Sequence, residues 1–168
     1  ANRYDRDKNI VMLTEGQAPH TVILACSDSR VIPDVIFDQG LGDLFVIRVA
    51  GNVAKDKVLG SIEYAVQHLG SKLVVVLGHE KCGAVTAALE PAEVEGHVGI
   101  ILEEIKPAVF MARQQEGDLL ENAIKNNVRI MRERVNDSLP ILNKAVREQG
   151  VKVVSGYYRL ETGEVVFL

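Results

Sequence analysis

Three short runs of β-branched and apolar residues constrain this chain most: Thr21-Val-Ile-Leu-Ala25, Leu44-Phe-Val-Ile-Arg-Val49 and Leu73-Val-Val-Val-Leu77. They have the length and composition of buried strands. Helical signals separate them. Pro33 suits the first turn of a short helix running through Phe37, and Gly40 with Gly42 ends it. Residues 56–69 carry Leu59, Ile62, Val66 and Leu69 at helical spacing. Strand, helix, strand, helix, strand is the order that builds a parallel sheet with crossover helices.

Beyond the third run the pattern predicts a helix through Ala88, a loop marked by Pro91 and Gly96, and a helical region from about 98 to 149. Gly117 and Ser138-Leu-Pro140 break that region, and Leu120, Ile124, Val128, Met131 and Val135 form one apolar stripe in its middle. Val151-Lys-Val-Val154 reads as a further strand. Tyr157 to Leu168 reads as a terminal hairpin that turns at Glu161-Thr-Gly-Glu164. The expected fold class is therefore α/β, with a mostly parallel central β-sheet flanked by helices and a C-terminal hairpin strand at its edge. A chain of 168 residues that is 47% apolar can bury one good core, so residues 1–168 are expected to form a single domain. Residues 1–19 are polar and poorly periodic and read as an N-terminal arm, one that can begin partway through a longer segment.

Charge narrows the partners. A net charge of −4, a pI near 5.6 and the lack of a Lys/Arg-rich run leave no footing for nucleic acid or an anionic membrane. No apolar stretch approaches the roughly 20 residues of a membrane span. The first eight residues, Ala1 to Lys8, are unlike a signal peptide, though a segment already removed would leave no trace. Cys26 and Cys82, placed beside Asp28, Arg30 and His79, suit metal or catalysis in a reducing compartment better than a disulfide in an oxidising one, so the cytoplasm is the expected compartment. A small-molecule partner is expected instead.

The chain has two cysteines, and both follow strands: Cys26 in Cys26-Ser-Asp-Ser-Arg30 and Cys82 in His79-Glu-Lys-Cys82-Gly83. Ligand sites in α/β sheets lie just past the carboxyl ends of strands. Two thiolates and one imidazole could converge there on zinc, which takes sulfur and nitrogen in tetrahedral sites and keeps a fourth position open when catalytic. Asp28 could fill that position and close the site. A bidentate pair with Arg30 would hold Asp28 ionised and off the metal. A structural zinc, a redox thiol pair or two unrelated buried thiols remain open at this point. On the helix at 56–69, Ser61, Tyr64 and His68 share a second side at i, i+3 and i+7, as a subunit interface, a pocket or simple solvent exposure would explain. His20 and His97 read as surface residues.

Taken together, Cys26-Ser-Asp-Ser-Arg30, Gly51-Asn52, Glu63-Tyr-Ala-Val66 and Gly78-His79-x-x-Cys82-Gly83-Ala84 closely resemble the β-class carbonic anhydrases. The likeness runs from about Gln17 to Leu89 and continues more weakly into the final hairpin. It implies a zinc lyase that interconverts carbon dioxide and bicarbonate, built as a homodimer or higher homo-oligomer with sites at the subunit interface. Matched position by position, Cys26, His79 and Cys82 fall on the zinc ligands, and Asp28 with Arg30 on the family's catalytic Asp-Arg dyad. Gln17 falls on the glutamine that bonds substrate in the plant-type branch. Phe45 and Tyr64 fall on aromatic pocket residues of that branch, and Gly83 on the glycine whose N–H faces substrate. Ala50 stands where that branch has a valine lining the pocket. Ile23 stands where a second branch has a tryptophan of an inhibitory bicarbonate site, which favours the plant-type branch.

The implied mechanism is attack of zinc-bound hydroxide, oriented by Asp28, on carbon dioxide beside Phe45, with Gln17 and the Gly83 N–H stabilising the developing oxyanion. Zinc lowers the pKa of bound water from roughly 15.7 to about 7 when three neutral histidines hold it. Two thiolates cancel the ion's formal charge, so activity is expected to rise toward alkaline pH. His68 beside Tyr64 is the candidate proton shuttle. Relatives of the family hydrolyse carbonyl sulfide or carbon disulfide, and a non-enzymatic zinc-binding module with Asp28 on the metal is a further alternative. Arg129, Arg132, Glu133 and Arg134 read as a solvated helix face.

Overall fold

The apolar runs pair into one five-stranded sheet: β1 (Thr21–Ala25), β2 (Leu44–Arg48), β3 (Leu73–His79), β4 (Lys152–Tyr158) and β5 (Val165–Phe167). In space the order is β2-β1-β3-β4-β5. The first three pairings are parallel and β4 with β5 is antiparallel, which gives the expected mixed sheet with its hairpin edge. The computed structural model describes residues 14–90, 94 and 96–168. Most of the expected N-terminal arm and the loop at Pro91 lie outside the described residues.

Two strands run longer than their apolar runs. β3 continues through Gly78 to His79 because the ladder with β4 persists to the His79–Tyr158 pair, and the Glu80 N–H extends it to the Tyr158 carbonyl. Tyr157 thus lies inside β4, opposite Gly78 on one side and Val166 on the other. Backbone pairing, not side-chain character, sets these ends.

Seven helices join the strands among the described residues: α1 (Pro33–Ile36), α2 (Asp56–His68), α3 (Gly83–Leu89), α4 (Val98–Ala112), α5 (Leu119–Asp137), α6 (Leu142–Glu148) and a 3-10 turn (Ala50–Asn52). The breaks expected near Gly117 and Pro140 separate α4, α5 and α6. Gly117 takes φ +98°, which ends any continuous helix, and the Asp118 carboxylate caps α5 by accepting the Glu121 N–H at 2.7 Å.

Alternation along each strand divides the core in two. Val22, Leu24, Val74, Val76 and Val153 face the larger cluster, with Ile62 and Val66 of α2, Ile105 of α4, and Ile124, Val128 and Met131 of α5. Ile23, Ala25, Val75 and Leu77 face the opposite side, against Val31 and the short α1 with Phe37. The β1 to β2 crossover runs the other way from those that follow, so α1 falls on one face and the longer helices on the other. Full burial of one such side chain stabilises the fold by roughly 1.5–3 kcal/mol. Of the expected α5 stripe, Ile124, Val128, Met131 and Val135 are fully buried and Leu120 is half-buried.

The charged side of α5 is not simply solvated. Arg134 Nη1 donates to Glu104 Oε2 at 2.6 Å and to the Ala54 carbonyl at 3.0 Å, and Arg132 Nε donates to the Val153 carbonyl at 3.2 Å. Lys55 completes the pair on Glu104 at 2.9 Å. Long side chains reach backbone acceptors that a helical pattern cannot place.

Gly78 lets α5 touch the sheet, because a Cβ there would sit 2.3 Å from Val128 Cγ2 and 3.3 Å from Ile124 Cγ2. Gly78→Ala is therefore expected to destabilise the protein by about 1–3 kcal/mol. Val128→Ala in the same chain should recover part of the loss, as a urea-denaturation double-mutant cycle would show.

Candidate metal centre

β1 and β3 are parallel neighbours, with Ala25 opposite Leu77, so Cys26 emerges beside the last residues of β3. His79 ends β3, and Lys81 at φ +54° turns the chain back so that Cys82 stands immediately before the first residue of α3. Sequence spacing thus becomes a compact cluster. The ligand atoms of Cys26, His79 and Cys82 all lie within 4.8 Å of one another, and all three residues are buried. The two sulfurs stand 4.0 Å apart. That is close to the roughly 3.8 Å edge of a tetrahedron with 2.3 Å metal–sulfur bonds, and far beyond the roughly 2 Å of a disulfide.

The donor set fits a thiophilic divalent cation. His79 is fully buried, and its Nδ1 lies 2.9 Å from the Glu80 carbonyl. A carbonyl can only accept, so Nδ1 carries the hydrogen and Nε2 presents its lone pair. Nε2 has no hydrogen-bond partner, an uncompensated buried acceptor that a metal would satisfy. The Cys82 thiol donates to Cys26 and lowers the Cys26 pKa, helped by the backbone N–H groups of Gly51 and Asp28 and opposed by burial. The same bond, with burial, raises that of Cys82. A bound cation would replace that shared proton and accept both sulfurs as thiolates.

Asp28 and Arg30 meet as a bidentate pair, Arg30 Nε to Asp28 Oδ1 at 2.9 Å and Nη2 to Oδ2 at 2.7 Å. The Arg30 backbone N–H adds a third bond to Oδ1 at 3.0 Å. This guanidinium holds the Asp28 carboxyl well below the usual carboxylate range, even against partial desolvation. Asp28 Oδ2 is 3.9 Å from His79 Nε2, so the carboxylate stands beside the ligand cluster while both its oxygens are engaged elsewhere.

Other site candidates divide by place. Gly83 opens α3 and is exposed, and Ala50 opens the 3-10 turn next to Gly51. Gln17 is exposed in the segment before β1. Phe45 pairs with Val22, three residues or roughly 10 Å along the strand from the level of Ala25. Its ring centroid lies 6.3 Å from that of Tyr64, which lies 5.4 Å from His68. These three rings form a row along β2 and α2, removed from the sulfur–imidazole cluster of the same chain. Tyr64 is 47% exposed and His68 is exposed, while Ser61 on the same side is half-buried and donates to the Lys57 carbonyl.

Sequence reasoning passed over three groups that hold the centre. Arg48 donates from Nε to the Cys26 carbonyl at 3.1 Å and from Nη2 to the Asp28 carbonyl at 2.6 Å. The Gly51 N–H donates to Cys26 Sγ at 3.3 Å, and Asn127 donates to the Gly51 carbonyl at 2.8 Å. The available signals were a charge closing an otherwise apolar strand, for Arg48, and the Gly51-Asn52 motif, for Gly51.

The family model for carbonic anhydrase matches residues 21–165. Carbonic anhydrase 2 of Mycobacterium tuberculosis is 38% identical over 162 residues, spanning 92% of this chain and 76% of that protein. A structure from work on two tetrameric β-carbonic anhydrases of the ascomycete Sordaria macrospora aligns with TM-score 0.90 at 26% identity, covering 98% of this chain and 88% of that one. The β-carbonic anhydrase CafA of Aspergillus fumigatus aligns with TM-score 0.89 at 28% identity, covering 98% and 82%. If the three buried donors hold one metal, Cys82→Ser should strip most of the metal from purified protein and leave the fold intact. Elemental analysis per chain beside circular dichroism checks this, and full metal content in the variant would break the assignment.

Proposed function

The chain belongs to the β-carbonic anhydrase family, and from this premise we propose that it interconverts carbon dioxide and bicarbonate at a zinc ion held by Cys26, His79 and Cys82. The observation that carries the reading is the buried cluster of two sulfurs and one unpartnered imidazole nitrogen beside an Asp-Arg pair. Zinc bound there would act as a Lewis acid and lower the pKa of a water in its open position. The Cys26 and Cys82 thiolates would offset the ion's charge, which puts the rise in activity on the alkaline side.

Each protein group then has a task its chemistry suits. Asp28, ionised and held by Arg30, can accept a hydrogen bond but not donate one, so it orients a water or hydroxyl proton in the site. The Arg30 clamp also keeps Asp28 from closing the fourth position, which argues against a non-enzymatic module. The Gly83 N–H and the Gln17 amide would donate to substrate oxygens as charge develops on them. Phe45, Ala50 and Tyr64 would offer the apolar surface for carbon dioxide. Because Phe45 and Tyr64 lie away from the cluster in one chain, their part in the pocket calls for a second copy of the chain. The exposed apolar side chains Ile32, Val35, Leu41 and Phe167 support a homodimer or higher oligomer, the state of the tetrameric Sordaria enzymes. His68, exposed beside Tyr64, would pass the released proton to buffer. The plant-type branch, one domain over residues 1–168 and a cytoplasmic setting belong to the same proposal, and the two free thiols suit a reducing compartment.

Stopped-flow carbon dioxide hydration on protein of known zinc content tests the reading. The expected result is fast turnover that rises from neutral to mildly alkaline pH. Asp28→Asn should lower kcat/KM by about 100-fold with zinc content unchanged. A rate that falls above neutrality, or a fully zinc-loaded protein inert at every pH, would sink the proposal.

A further inference from the structure

We infer that Asn127 of α5 is a positioning residue for the metal centre, acting on Cys26 through the left-handed turn at Gly51. The inference rests on the reading of Cys26 as a metal ligand. Asn127 is 1% exposed, and its Nδ2 donates to the Gly51 carbonyl at 2.8 Å. Its Oδ1 has no partner. A buried polar group left unmatched is destabilising, a cost that an apolar side chain of similar size would avoid. Its neighbours on α5, Ile124, Val128 and Met131, are apolar and buried, so packing at this position makes no demand for an amide. What the amide secures is Gly51.

Gly51 has little other freedom. It takes φ +68° and ψ 16°, and a Cβ there would lie 2.6 Å from Ile105 Cδ1 and 3.3 Å from Ala84 Cβ. Its N–H points at Cys26 Sγ, 3.3 Å away, while its carbonyl is tied to α5 by Asn127. One residue is thus anchored at both polar ends, and the anchor on the helix side keeps the N–H aimed at the sulfur. A hydrogen bond to a ligating thiolate fixes the position and orientation of the sulfur toward the metal, and losing such an outer partner costs metal affinity. Asn127 thereby tunes a ligand that it does not touch.

Asn126 supplies a matched control. It is 2% exposed on the same helix, but its Nδ2 donates to Gln115 Oε1 at 3.0 Å and the Ala108 carbonyl at 3.4 Å, toward α4 and the residues after it. The experiment substitutes Co(II) into wild type, Asn127→Leu and Asn126→Leu, and reads the thiolate-to-cobalt charge-transfer absorption and the rate of metal transfer to a chelator. Asn127→Leu is expected to shift the band and to speed metal loss by about tenfold or more. Asn126→Leu is expected to lower Tm while keeping the wild-type band and rate. Asn127→Ser, a smaller change, gives the same readout should the leucine variant not fold. A wild-type band and transfer rate in the Asn127 variant, or an equal shift in Asn126→Leu, would overturn the inference. Wild type lacking any thiolate band would overturn the metal reading itself, and this inference with it.

Discussion

Parallel pairing of β1 with β3 is the constraint on which the centre depends. Because the two strands run the same way in register, the loops that follow them open at one end of the sheet, and Cys26 meets His79 without any long excursion of the chain. An antiparallel pair would have put the two loops at opposite ends. The left-handed turn at Lys81 then needs only two intervening residues to bring Cys82 back to the same point.

Helix α5 packs against that arrangement at two points. Val128 presses on the backbone of Gly78, one residue before His79, and Asn127 holds Gly51, whose N–H meets Cys26. Two adjacent residues of one helix therefore support two of the three ligand segments. Arg48 and Arg30 work from the other side, binding the Cys26 and Asp28 carbonyls and the Asp28 carboxylate. The site combines buried sulfur and nitrogen donors with a charged pair at its edge, and each environment suits its task. Burial leaves the His79 lone pair to a metal, while partial exposure lets the Asp28–Arg30 pair stay ionised at small desolvation cost.

The Asp28 carboxylate stands where it could close the candidate centre. A free Asp28 beside two thiolates and an imidazole would be a fourth ligand, and the cluster would then be closed. Three hydrogen bonds from Arg30 give its oxygens a different occupation. The row of Phe45, Tyr64 and His68 stands apart from this cluster, along β2 and α2 of the same chain.

How much of this the sequence carried follows from the range of the interactions. Short apolar runs and helix punctuation are local, so the strands at 21–25, 44–48 and 73–79, the breaks before α5 and α6 and the final hairpin were legible within a few residues. The two cysteine motifs and the Asp-x-Arg pair were legible for the same reason, since each is held within a five-residue loop. Strand ends were not, because the extension of β3 and β4 depends on pairing between segments some eighty residues apart. The support of Cys26 by Arg48, Gly51 and Asn127 was also invisible: Gly51-Asn52 stood out as a motif without a contact assigned to it, and the three residues meet only when β1, the 3-10 turn and α5 pack together. Composition and local spacing determined the class of fold and which cysteines and histidine were candidate donors. Tertiary structure decided which backbone groups orient those donors, because hydrogen-bond partners distant along the chain are chosen by packing.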